Sequence, residues 1–346
     1  MTPAQLQPAT WLLIGPVVVA GAMAATVGLI MLLLPYLQRH ALARPNARSS
    51  HRIATPQGGG IALIAVTVVS AAVTAMAIPD FGGTVLAQLG PVLAAALLLG
   101  LAGALDDMRG LDPLPRLLVQ GLCVFIVLAA LPVDWRVVPA LPWWVERALL
   151  LMAGIWCVNL VNFMDGIDWM NVAEIVPVAA GLVLLAHLGA LPAAGMVLAL
   201  ALLGSTLGFA VFNRPVAKLF LGDSGSLPTG LLLFWLLVEL AGNGHLAAAL
   251  LLPLYYVADA TVTLGRRLVR GERVWQAHRT HFYQRAIDNG LTVLQVVGGV
   301  FAVNLALIAL AVLTVVVPQP GVKLSALLAS GLIVAALLTW FAHGRR

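Results

Sequence analysis

The stretch ALLLMAGIWCVNLVNFMDGIDWMN, residues 148–171, is apolar for most of its length and then carries two carboxylates, Asp165 and Asp168. Such a profile reads as a helix of about 20 apolar residues crossing a membrane and ending in a polar mouth. The rest of the chain repeats it. Its 346 residues are 61% hydrophobic and only 10% charged, and the mean hydropathy is +1.01. This composition excludes an ordinary soluble domain and points to an integral membrane protein. Eleven apolar runs can be counted, at 11–37, 60–79, 84–105, 116–132, 147–164, 172–189, 191–212, 226–242, 245–265, 291–317 and 322–342. They are long and continuous and lack the ten-residue alternation of barrel strands, so the expected fold is all-α and polytopic, with about 10–11 transmembrane helices. The N-terminal MTPAQLQPAT has no basic region and no small-residue cleavage site, so the first run is expected to be a retained helix. Cys123 and Cys157 lie in apolar runs and read as small buried hydrophobes, not as a disulfide or metal pair.

Orientation follows from the cations. Sixteen of the nineteen Lys and Arg fall in or beside the connections 38–57, 105–115, 162–171, 212–225 and 266–290 and the C-terminal tail; the other three are Arg136, Arg147 and Lys323. Basic residues favour the cytoplasmic side. The N-terminus is therefore expected outside, the C-terminus and these five loops in the cytoplasm, and LPVDWRVVPALPWW, residues 131–144, at the outer interface, where Trp is favoured.

The polar residues gather on the same side: RPNARSSHRIATPQGGG (44–60), ALDDMRGLDPLPR (104–116), the opening stretch, FNRPVAKLFLGDSGS (212–226) and GRRLVRGERVWQAHRTHFYQRA (265–286). Each has a plain reading. Basic loops follow from topology, QGGG suits a close helix crossing, and Asn, Ser and Asp near helix ends are often caps. The carboxylates together resist it. An Asp at the centre of a membrane helix costs roughly 2.5–3.5 kcal/mol on insertion scales, less towards the interface. Asp106, Asp107, Asp165, Asp168 and Asp223 repeat that cost at three helix ends, which implies a shared polar cavity. If the 147–164 helix continues, Asp165 and Asp168 lie on one face; the adjacent Asp106 and Asp107 must point apart and take different tasks. Oxygen ligands without cysteine suit a hard cation, Mg2+ or Mn2+, bridging carboxylates to a substrate phosphate.

ALDD at 104–107, NFMDGID at 162–168 and FLGDSGS at 220–226, with TPQGGG at 55–60 and HRTHFYQRA at 278–286, together resemble the polyprenyl-phosphate N-acetylhexosamine-1-phosphate transferases, in family order and over nearly the whole chain. The resemblance implies a single transmembrane transferase domain over 1–346. It implies transfer of a sugar-1-phosphate from a UDP-N-acetylsugar to undecaprenyl phosphate, releasing UMP, in a bacterial inner membrane with the active site on the cytoplasmic face. RSSH in the first loop and the HRxH form of the last look most like the branch that initiates O-antigen. Expected partners are the two substrates, the bilayer and a second copy of the chain, with no nucleic acid.

By the same resemblance Asp223 matches the principal Mg2+ ligand. Asp106 and Asp107 match an aspartate pair, one deprotonating or orienting the lipid phosphate and the other, Asp107, helping to hold the metal. Asn159, Asn162, Asp165 and Asp168 match the nucleotide-sugar side of the cleft, and Asn213 a polar residue near the nucleoside. Arg52 stands about where relatives carry a lysine. His281, counted with the catalytic residues, matches with His278 and Arg279 a basic loop on the diphosphate or sugar. The chain departs from the family at Trp169, Met170 and Asn171, where many relatives continue with Gly and small residues. Trp169 is read as an interfacial anchor in preference to a wall of the pocket. Asp259 either lines the cleft or pairs with Arg266 or Arg267. A transporter would place acids near the midplane and repeat its two halves; the sequence shows neither. A CDP-alcohol phosphotransferase lacks support because its long acidic signature is absent, and an inactive paralogue is disfavoured by the intact Asp106, Asp107 and Asp223.

Overall fold

The apolar runs form helices that satisfy their own backbone groups, as a bilayer requires. The computed structural model describes residues 8–43, 54–81, 83–273 and 278–344; Arg52 lies outside them. In chain order the elements are α1 (Pro8–His40), β1 (Leu42–Ala43), β2 (Thr55–Pro56), α2 (Gly59–Ala77), α3 (Thr84–Arg109), α4 (Pro113–Ala129), α5 (Trp143–Phe163), α6 (Met170–His187), α7 (Ala193–Asn213) and α8 (Asp223–Leu240). There follow α9 (Leu246–Leu251), α10 (Leu254–Val269), α11 (Phe282–Asp288), α12 (Val293–Val316) and α13 (Pro320–His343). Among the described residues nine helices are long and apolar enough to cross a membrane, counting Asp223–Leu251 as one, with α4 a shorter apolar companion.

The run 245–265 is not one continuous span. A π turn at Ala241–His245, containing Gly244 at φ 90°, carries α8 into α9. Pro253 then separates α9 from α10, because proline has no N–H to continue the ladder. The result is a short α10 that brings Asp259 to the same end of the bundle as the polar loops.

α8 is apolar on every side and is packed against α2, α3 and α5, as an all-round hydrophobic helix must be. Small residues permit the close approach. A Cβ on Gly60 would strike the backbone of Gly225, and one on Gly103 the carbonyl of Asp223. The QGGG stretch is thus a close helix crossing. The amides of Gly59 and Gly60 donate to the carbonyls of Phe220 and Leu221, each at 2.9 Å, and the β1–β2 pair anchors this entry to the end of α1. At the far end of the bundle Glu146, 3% exposed, accepts from Arg136 and from the amides of Val137 and Val138. Arg147 lies 5.5 Å over the Trp135 ring and 5.6 Å over that of Trp143.

Candidate active site

The site forms where α3 ends and α8 begins. Asp106 and Asp107, being adjacent on a helix, turn to different partners. Asp107 accepts from the amides of Asp223 at 2.9 Å and Ser224 at 3.1 Å, so it caps α8 from another helix and satisfies two of its free N–H groups. Both Asp107 oxygens accept from amides, which adds a positioning task to the metal-ligand role that the sequence suggested. Asp106 accepts from the amide of Leu111 at 2.6 Å and from Arg116 at 3.0 Å. Its carboxyl and that of Asp223 are close enough to share a hydrogen bond. The same Arg116 nitrogen reaches Asp223 at 3.5 Å, so one guanidinium stands between two carboxyl groups. Asn162, at the end of α5, donates to Asp223 Oδ1 at 2.6 Å and to Ser226 Oγ at 2.9 Å.

Arg116 was missed as a site residue, although a signal existed. It sits in the first turn of an apolar helix, after Pro113 and Pro115, where a half-buried cation is expected to find an anionic partner.

Asp165 and Asp168 do not share a helical face. α5 stops at Phe163 with Met164 as its cap, and 164–169 is a loop. A Cβ on Gly166 would meet the Tyr283 hydroxyl, so this loop is folded against α11. Burial, then the neighbouring Asp223, Asp107 and Asp168, push the Asp165 carboxyl well above the usual range. Asp168 instead accepts from the amide of Ala217 at 2.9 Å, tying the loop to 214–222. Trp169 takes a left-handed backbone, φ 62°, which is unusual for a bulky residue. Its amide donates to Asn213 Oδ1 at 2.8 Å and its indole N–H to the carbonyl of Ala210 at 2.8 Å. Its indole is therefore hydrogen-bonded to the end of α7.

Two expected substrate residues are spent elsewhere. Asn213 is buried, and its amide also donates to the carbonyl of Leu219 at 3.0 Å, so it is a loop staple. Asn159 donates to Gln120 at 2.6 Å and to the Ile155 carbonyl; it joins α5 to α4 inside the bundle.

The basic loop docks against the end of α5. The Tyr283 hydroxyl donates to the carbonyl of Phe163 at 3.1 Å, and the His281 ring stacks on those of Phe163 at 6.3 Å and His278 at 4.9 Å. Arg279 pairs with Asp288 at 2.9 Å. Burial, then His281 and Arg267, push the His278 imidazole down to about 4, so it is neutral at physiological pH. Asp259 is fully buried, and its described ion pair is with His281; it also accepts from the start of α11.

Among the described residues no three His, Cys, Asp or Glu form a complete metal-binding group. The adjoining Asp106 and Asp223 nevertheless suit Mg2+ or Mn2+. They offer oxygen only, and Mg2+ commonly takes one or two carboxylates and completes its shell with water and substrate phosphate; Arg116, between them, would have to turn towards that phosphate.

Residues 89–241 match the model of glycosyl transferase family 4, a segment running from α3 to the end of α8. Over this segment the chain is similar to glycosyl transferase family 4. A relative in Bacillus subtilis (strain 168), a probable undecaprenyl-phosphate N-acetylglucosaminyl 1-phosphate transferase, is 24% identical over 300 residues, 80% of either chain. The decaprenyl-phosphate N-acetylglucosaminephosphotransferase of Mycobacterium leprae (strain TN) is 29% identical over 286 residues, covering 72% of this chain and 71% of that one. The phospho-N-acetylmuramoyl-pentapeptide-transferase of Trichormus variabilis (strain ATCC 29413 / PCC 7937) is 34% identical over 260 residues, 66% of this chain and 65% of its own. By name, the first two of these relatives are polyprenyl-phosphate N-acetylglucosamine-phosphate transferases.

Proposed function

We propose that the protein transfers an N-acetylhexosamine-1-phosphate from a UDP-sugar to undecaprenyl phosphate, releasing UMP, as the first step of an O-antigen-like envelope glycan. The observation that carries this reading is the convergence of Asp106, Arg116, Asn162 and Asp223, from four helices, at one end of a membrane bundle. Acids and a cation at the membrane surface suit a reaction between a water-soluble diphosphate and a lipid phosphate. The cation-rich loops at this end support a site on the cytoplasmic side of the inner membrane.

Asp223 and Asp106 would hold Mg2+, or Mn2+ in its place, and the ion would neutralise the donor diphosphate. Asp107 and Asn162 fix the direction of Asp223. Arg116 pairs with phosphate charge as it develops. An oxygen of the lipid phosphate attacks the sugar-bearing phosphorus in line. The new P–O–P linkage forms as the bond to UMP breaks, and UMP leaves with the electron pair. Both Asp106 oxygens are held, by Leu111 and Arg116, which suits orienting the acceptor better than attacking as a nucleophile.

The test is UMP release by purified protein in detergent with undecaprenyl phosphate, Mg2+ and a panel of UDP-N-acetylsugars. Release that needs lipid, one donor and an EDTA-sensitive metal is expected. Retention of configuration at a chiral β-phosphorus would sink the direct route, and no release with any donor would overturn the activity.

A further inference from the structure

One buried acid at the cytoplasmic end has no part in the mechanism above. Asp259 on α10 is fully buried, 0% exposed, where an anion is costly unless paired and hydrogen-bonded. Its two oxygens face five donors. Oδ1 accepts from the amide of Phe282 at 3.0 Å, His281 Nδ1 at 3.2 Å and Thr263 Oγ1 at 3.3 Å. Oδ2 accepts from the amide of Tyr283 and the hydroxyl of Tyr255, each at 3.1 Å.

Among these five described partners His281 is the one that can carry a countercharge. A carboxylate only accepts, so the nitrogen turned towards it, Nδ1, must hold a proton, and the hydrogen bond on one ring nitrogen fixes the state of the other. The ring cannot swivel freely. It is 2% exposed and stacks on His278, Tyr283 and Phe163 at 4.9, 5.8 and 6.3 Å. With Nδ1 turned to Asp259, Nε2 is the ring nitrogen left to accept from a ligand. Phe163 closes α5 just before the Asp165 loop, so the stacked His281 ring lies beside that loop.

We propose that Asp259 is a positioning residue for the transfer reaction: it locks His281 in the Nδ1–H state and so makes Nε2 the nitrogen that meets the donor nucleotide sugar. The proposal rests on the assignment of the basic loop to the donor. Asp259 also holds the first two amides of α11, whose Tyr283 fastens the acid loop, so one buried carboxylate sets both loops in register.

The experiment compares wild type with Asp259→Asn, His281→Ala and the double variant, all full-length and in nanodiscs. Asparagine keeps the shape and one acceptor for the amides but can turn an N–H towards the ring, which favours the other tautomer. The expected loss in kcat/KM for the donor is on the order of 10²- to 10⁴-fold, with KM for undecaprenyl phosphate little changed. The double variant should be no worse than His281→Ala, because residues acting as a unit are not additive. Nitrogen-15 shifts of labelled histidine read the tautomer directly and need no activity. They should show Nδ1–H at His281 in the wild type and its loss in Asp259→Asn. A wild-type ring protonated only at Nε2, an Asp259→Asn enzyme with normal donor kinetics, or a loss that adds in full to that of His281→Ala would each overturn the proposal. If the wild type releases no UMP while the Nδ1–H signal is present, the functional assignment fails and the Asp259–His281 pairing stands.

Discussion

Gly166 offers the sharpest test of how the two loops are joined. In Gly166→Ala the new methyl would collide with the Tyr283 hydroxyl and lie 2.9 Å from Gln284 Nε2 and 3.0 Å from Tyr283 Cζ. Tyr283 is fully buried and cannot withdraw without giving up its hydrogen bond to the Phe163 carbonyl at 3.1 Å. Overpacking costs about 1–3 kcal/mol and the lost hydrogen bond about 1 kcal/mol. The variant should therefore melt several degrees lower. Its acid loop shifts, and a displacement of about 1 Å near the chemistry can lower turnover ~10²-fold. Tyr283→Phe alone removes the hydrogen bond but keeps the packing, so a loss of a few-fold is expected. In the double variant the hydroxyl is gone and the flexible Gln284 amide can give way. It should recover most of the Gly166→Ala loss, with a favourable coupling of about 1–2 kcal/mol. UMP release reads activity, and a thiol-reactive dye reads unfolding through the buried Cys123 and Cys157. A double variant whose losses simply add, or a Gly166→Ala protein indistinguishable from wild type, would refute the contact between the loops.

Asp223→Ala should abolish UMP release, by at least about 10³-fold, while the melting profile keeps its shape; normal turnover in a purified variant would end its assignment to the metal. Asp107→Ala leaves the amides of Asp223 and Ser224 without their acceptor, so a loss of ~1–3 kcal/mol is expected in unfolding, with turnover falling alongside; unchanged stability would refute the capping role. The pH dependence has a definite sign for His278. Its folded value of about 4 lies below the unfolded value of about 6.5. Between these the unfolded chain binds a proton that the folded protein refuses, so stability rises with pH over that window. Asp165, whose folded value is raised, acts in the opposite sense from about pH 4 upward, so the comparison is between variants. His278→Gln should gain less stability than wild type between pH 4 and 6.5, measured as melting midpoints; equal slopes would show that the stacked ring titrates freely.

The sequence by itself determined the membrane class, the approximate spans and the grouping of polar motifs at one end. These are local properties. A bilayer tests each window of about 20 residues for apolar content, so residues 172–189 can be assigned without knowing what packs beside them. Close crossing at QGGG was legible for the same reason, since small residues carry their meaning in their size. The division of labour among the polar residues was not legible, because it depends on partners far along the chain. Asp107 and Asp106 looked like a pair; one caps a helix that begins 116 residues later, while the other is clamped by Arg116. Asn159 and Asn213 match motif positions yet spend their amides on Gln120 and Leu219. Asp259, undecided in the sequence, became an anchor once Pro253 broke the ninth run and set α10 against α11. A side-chain hydrogen bond is short-ranged and directional, so which acid binds, which caps and which positions was decided only when the helices packed.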